Sequence, residues 1–282
     1  MLDISNFPSP VFLLGTGYTQ FLVARELAKN NVASVVMASK EKRQGIVDNW
    51  LFRSSLITVV TNGEGEYEQE SKGCRSIVVC PETSDIPGST LKAIHSKMDD
   101  VRKIVVISPQ GTQTSENRVV AEDFGLLNGI MTLGGRRVGR NGENFDFAIS
   151  MEEMAQELGD TVILHRGRLV GGGNVPDDMG FGDLFYKTAG SEPDVIVEKV
   201  YDSSRLGINL TPGDSILSYP KGKRSTATEE MADKTHRVCL VQCILGALNS
   251  ATTTPRCSVT AALGEVPLTF SKVDSLLQKN VL

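Results

Sequence analysis

The chain is short of the residues that mark specialised classes. Its 282 residues hold three histidines, one tryptophan and five cysteines. No stretch reaches the roughly 18 apolar residues needed to cross a bilayer, so no transmembrane helix is expected. Cys74, Cys80, Cys239, Cys243 and Cys257 are odd in number and match no zinc spacing, which argues against a disulfide framework. They suit small buried hydrophobes in a reducing compartment. Cys239 and Cys243 share a face if their segment is helical, but a metal there needs two more ligands, and only His236 is near. His95, His165 and His236 lie too far apart for metal-ligand spacing, so no metal is expected. Net charge is −5 with no dominant basic block, which gives no reason to expect nucleic acid. The opening "MLDISNFPSP" has neither a signal peptide's apolar core nor the Arg/Ser bias of a transit peptide.

What is present is ordinary in amount and orderly in arrangement. Apolar residues make up 40% and charged residues 22%. A chain of this size buries roughly 75% of its unfolded surface. Strand and helix patterns alternate through the first 170 residues. Strands are expected at 11–15, 33–39, 55–63, 76–82, 103–111 and 161–173. Helices are expected at 19–31, 89–98 and 150–160, the last with Ser150 and Glu153 as a capping box. The strands are apolar on both faces, as in a parallel sheet covered by helices. The pattern predicts an α/β protein with a doubly wound, Rossmann-type sheet. The last third is less regular: a helix at 235–250, a strand near "RCSVTAAL" and a terminal helix "TFSKVDSLLQKN". A single domain is expected over 1–282, with a core at 1–170 and a small substrate-side lobe at 171–282.

The first strand ends in "LLGTGYTQ". A dinucleotide-binding turn uses one glycine for the tight turn and a second for close approach of the pyrophosphate. A third lets the helix pack against the strand, and the helix N-terminus then attracts phosphate. Gly15 and Gly17 fill the first two places, and Gln20 stands in the third. An ordinary strand-to-helix turn also needs glycines here. The second strand ends in "ASKEKR", with no acid at its tip. Hydroxyl and ammonium donors there suit the 2′-phosphate of NADP, although a solvated charged turn has the same composition.

"VVISPQGTQ" puts Ser108 at the end of the fifth strand. With "LLGTGYTQFLVARELA", "KIVVISPQGT", "AEDFGLLNG", "MEEMAQELGDTVILHRGRLVGGG" and "THRVCLVQCILGAL", the chain resembles the short-chain dehydrogenase/reductase superfamily. The likeness is to its atypical branch, the NmrA-like and plastid NAD(P)-binding proteins. Active members carry a Tyr-x-x-x-Lys pair on the helix after the fifth strand, where the tyrosine moves the substrate proton. No tyrosine occurs between Tyr67 and Tyr186. The formal match from Tyr219 to Lys223 contains Pro220 and Gly222, which oppose a helix.

The resemblance implies an NADP-binding protein without standard reductase chemistry, a redox sensor or weak oxidoreductase. Gly15, Thr16, Gly17 and Tyr18 would cradle the pyrophosphate. Ser39 and Lys40 would meet the 2′-phosphate. Cys80 and Pro81 would line the adenine side, and Ser108 and Gln110 the nicotinamide side. Ser108 is the one catalytic candidate, placed to polarise a carbonyl. The alternative is a non-enzymatic structural or assembly subunit of a photosynthetic or respiratory complex. The resemblance implies the chloroplast stroma or thylakoid surface, with the cytoplasm as alternative. His165 is expected to make a structural hydrogen bond beside Arg166 and Arg168. "GGRRVGRNG" (134–142) is expected as a basic loop, and "DDMGFGDLF" (177–185) as a lid or docking loop.

Overall fold

The computed structural model describes residues 7–15, 17, 19–38, 54–61, 66–82, 84–110, 112, 131–133, 136–138, 145–170, 206–214, 234–250 and 256–263. In chain order, β1 (Val11–Gly15) leads into α1 (Thr19–Lys29), followed by β2 (Ser34–Ala38) and β3 (Ile57–Thr61). Then come α2 (Glu66–Ser71), β4 (Ser76–Cys80), α3 (Gly88–His95) and β5 (Lys103–Pro109). A hairpin of β6 (Met131–Leu133) and β7 (Arg136–Val138) precedes α4 (Phe145–Leu158), β8 (Thr161–Arg166) and β9 (Arg168–Val170). The described elements end with β10 (Leu206–Pro212), β11 (Lys234–His236), α5 (Arg237–Asn249) and β12 (Arg256–Leu263).

The main sheet has the order β10-β12-β8-β5-β4-β1-β2-β3. Its neighbours pair parallel except β10, which runs antiparallel to β12 at one edge. Every residue of β2, β4, β5 and β8 is buried, as the two-sided apolar pattern predicts. Alternate residues feed two cores. Leu13, Val36, Val78, Ile107 and Leu164 pack with Phe21, Ala24 and Leu27 of α1 and with Leu240, Ile244 and Leu248 of α5. On the other face, Phe12, Val35, Val79, Val106 and Ile163 pack with Leu91 and Ile94 of α3 and with Met151 and Ala155 of α4. Each fully buried aliphatic side chain contributes about 1.5–3 kcal/mol. The doubly wound parallel sheet is therefore present, and β10, β12 and α5, all from residues after 170, complete it.

The strands expected at 33–39, 55–63, 76–82 and 103–111 are shorter, and the helices expected at 19–31 and 89–98 span Thr19–Lys29 and Gly88–His95; further differences follow. The helix expected from 150 begins at Phe145, so Ser150 lies inside α4 and is no cap. Phe145, Ala148 and Ile149 stand at helical spacing before Ser150, and Asp146 supplies the first-turn acid. Ser150 instead packs on Gly88 of α3, where an added Cβ would lie 2.7 Å from its carbonyl oxygen. The single strand expected at 161–173 divides at Gly167 into β8 in the main sheet and β9, which pairs with β11. The Gly167 N–H leaves the ladder and donates to Thr235 Oγ1 at 3.0 Å. The helix expected from 235 starts at Arg237, because 234–236 form β11. Within 134–142, residues 136–138 are β7, paired antiparallel with β6, and not loop. The terminal helix, residues 177–185 and Tyr219 to Lys223 lie outside the described residues. No described helix is long and apolar enough to cross a membrane.

Candidate functional site

Strand order reverses between β1 and β4, and ligands of open α/β sheets bind beyond the carboxyl ends of strands at such a point. Gly15 ends β1 in register with Cys80 at the end of β4. The α1 helix starts at Thr19 with no acidic residue in its own first turn. The N–H groups at a helix start attract an anion.

The anion found there belongs to the chain. Glu82, two residues past β4, accepts hydrogen bonds at Oε2 from the Thr19 N–H and the Thr19 hydroxyl, both 2.8 Å. Its Oε1 accepts from Arg237 Nε at 2.9 Å and also from Arg237 Nη2. A Cβ placed on Gly17 would lie 2.5 Å from Glu82 Cβ and 2.7 Å from Oε2, so Glu82 rests directly on the second glycine. Burial opposes its charge, but Arg237 and the Thr19 bonds prevail and hold the carboxyl below the ordinary carboxylate range. As arranged, the side chains do not fit a pyrophosphate at this helix start, because the Glu82 carboxylate holds the Thr19 donors and rests on Gly17.

Gln20, in the third-glycine position, is buried. Its side chain folds over Gly15, where a Cβ would meet Gln20 Oε1 at 2.7 Å. A glycine at 15 is what gives Gln20 this room. Gln20 Oε1 has no hydrogen-bond partner among the described residues.

A second polar cluster lies beyond β5 and β8, on the opposite face of the sheet. Ser108 and His165 are register partners. The Ser108 hydroxyl donates a short hydrogen bond to Glu152 Oε1, and Thr112 Oγ1 donates to the same oxygen at 2.7 Å. Thr112 Oγ1 is also 3.4 Å from Asp214 Oδ2 and 3.5 Å from His165 Nδ1. His165 Nδ1 lies 3.8 Å from both Glu152 Oε1 and Asp214 Oδ1. Ser108, Thr112, Glu152 and His165 are buried, and the Asp214 side chain is fully so. His165 Nε2 has no partner among the described residues. Among those residues, no group of three His, Cys, Asp or Glu side chains is placed to hold a metal ion.

The expected residues divide as follows. Gly15 and Gly17 stand at the switch point, while Thr16, Tyr18, Ser39 and Lys40 lie outside the described residues. Cys80 is buried; burial and then Glu82 push its thiol up, with Arg166 opposing. The Pro81 carbonyl accepts a 3.5 Å contact from Arg166 Nη2. Gln110 donates its N–H to the Arg166 carbonyl at 2.9 Å, and its buried Nε2 has no partner among the described residues. Ser108 commits its one proton to Glu152, so it has none to offer a carbonyl in this arrangement. His165, expected to make a structural hydrogen bond, has its nearest such contact at 3.5 Å, from Nδ1 to Thr112 Oγ1. Sequence reasoning missed Glu82, Arg237, Thr112, Glu152 and Asp214. An acid just after "SIVVCP" was a signal for Glu82; the residues between Glu82 and Arg237 left none for the pair.

The comparisons bear on this sheet. No protein-family model matches the sequence, and no curated protein does. Solved structures do match. A Veillonella parvula short-chain dehydrogenase/reductase, solved with NADP, shares 14% identity over 89% of this chain and 94% of its own, with a TM-score of 0.53. A yeast methylglyoxal/isovaleraldehyde reductase, solved with NADPH, shares 10% identity over 95% and 93%, with a TM-score of 0.55. The chain shares its fold with these two proteins. Among the described residues the first helix after β5 is α4, and its sequence "FDFAISMEEMAQEL" holds neither tyrosine nor lysine. The polar group it brings to Ser108 is the Glu152 carboxylate.

Proposed function

We propose that the protein is an NAD(P)-binding member of the short-chain dehydrogenase type that lacks standard reductase chemistry and acts as a redox sensor. What supports this is the placement of Gly15, Gly17 and the α1 N-terminus at the switch point of the sheet, where Glu82 must give up its donors before a phosphate can take them. A carboxylate is held by the α1 N-terminus against Gly17 at the switch point. Two structures of the same fold were solved with NADP and NADPH. Turnover is not supported, because α4 offers no tyrosine or lysine and Ser108 is bonded to Glu152. The preference for NADP rests on Ser39 and Lys40 at the end of the second strand. Calorimetric titration with NADPH and NADH tests the reading. Saturable binding, tighter for NADPH, with no cofactor consumption over hours is the expected result. Absence of binding by either nucleotide up to millimolar concentration would overturn it.

A second reading is favoured by the Glu82–Arg237 pair, which satisfies the α1 N-terminus without any ligand. On it the sheet is the body of a structural or assembly subunit in a photosynthetic or respiratory complex in the chloroplast. Co-migration with a large assembly on native gels, together with no nucleotide binding, would select it.

A further inference from the structure

We infer that Glu82 is a built-in competitor for the phosphate site, and that Arg237 is the cation a bound phosphate would take over from it. The inference rests on the dinucleotide reading above and concerns the regulation of that same site.

Three observations converge. Glu82 uses the same donors a phosphate would use, the Thr19 N–H and hydroxyl at the start of α1. It stands in the same volume, within van der Waals overlap of any atom added to Gly17. Its second oxygen is paired with Arg237, whose guanidinium comes from α5, on the far side of the site in sequence. A guanidinium fork binds phosphate as readily as carboxylate. Two anions cannot share these donors, so a dinucleotide binds only when the Glu82 side chain rotates away. Every ligand bond gained at Thr19 and Arg237 then replaces one that Glu82 already made. Apparent affinity is lowered by the fraction of molecules in which Glu82 is out. The device makes a weak, readily emptied site out of a sound glycine turn.

The test compares NADPH binding by the wild-type protein, Glu82→Gln, Glu82→Ala and Glu82→Ala/Arg237→Met. Calorimetry gives Kd, and thermal shift gives an independent readout. Removing the competitor is expected to tighten NADPH binding about tenfold or more, the inverse of a small open fraction. Adding Arg237→Met is expected to reverse most of that gain. Glu82→Gln keeps an acceptor for the Thr19 N–H, so it reports even if Glu82→Ala fails to fold. Wild-type binding that is unchanged or weakened in both Glu82 variants would overturn the inference and leave the dinucleotide reading standing. Binding by the variants but not by the wild type supports it. No binding by any form overturns the inference and the dinucleotide reading together.

Discussion

Replacing Glu82 with alanine should cost the nucleotide-free protein a measurable part of its stability, and the size follows from the contacts. The change removes two hydrogen bonds at the α1 N-terminus and leaves Arg237 without its carboxylate partner. Loss of a helix cap costs about 1 kcal/mol. Breaking a fully buried ion pair costs about 3–5 kcal/mol. Glu82 is 10% and Arg237 19% exposed in their side chains, so water recovers part of that cost. A net loss of about 3–4 kcal/mol is expected. For 282 residues the unfolding entropy is roughly 0.6 kcal/mol per kelvin, so Tm should fall by about 5–7 °C. Arg237→Met should cost a comparable amount. The double variant should cost clearly less than the two together, since the residues act on each other. Differential scanning calorimetry of the four proteins measures this. A Glu82→Ala midpoint within about 1 °C of wild type would refute the idea that this pair holds α1 to the strand ends.

Other expectations follow from neighbouring contacts. The carboxyl of Glu82 is held below its unfolded value of 4.5, so its contribution is full above that pH and is lost as pH falls through the folded value. Melting temperature should therefore drop below about pH 4.5 in wild type, and less steeply in Glu82→Gln; parallel curves would contradict this. Gly17→Ala puts a methyl 2.5 Å from Glu82 Cβ and should destabilise the protein by about 1–3 kcal/mol, measured by urea unfolding; Glu82→Ala keeps that Cβ and should leave most of the cost in place. Glu152→Leu strands the buried hydroxyl of Ser108, leaves Thr112 only its longer contact to Asp214, and should cost about 1–3 kcal/mol by the same assay. Cys74, whose thiol burial and then Glu70 push up to about 12, should resist iodoacetamide in the folded protein, as should buried Cys80 and Cys243; rapid alkylation seen by mass spectrometry would contradict their packing.

The fold was largely legible because its signals are local. Val11–Gly15 is apolar on both faces and ends in glycine, which bounds β1 on its own terms. Phe21, Ala24 and Leu27 repeat at helical spacing and are the residues α1 buries. Where two local signals competed, the weaker-looking one prevailed. Ser150 and Glu153 resemble a cap, yet the apolar residues before them lengthen α4 by more than a turn. Gly167 is one residue in an apolar run, but its N–H bonds to Thr235 and the chain leaves the main sheet there. The site was legible only at its glycines. Glu82 and Arg237 meet across 155 positions, and Thr112 and Asp214 across 102, so no spacing rule brings them together. Their meeting depends on β4, β5 and β8 ending side by side, which only the sheet order supplies.

The most direct measurement is an NADPH titration of the wild-type protein and Glu82→Gln in the calorimeter, with nucleotide absorbance followed in the same samples. Saturable binding by both, tighter in the variant and with no nucleotide consumed, is the expected result. Silence from both proteins at millimolar NADPH would contradict the claim that the Gly15–Gly17 turn is a dinucleotide site.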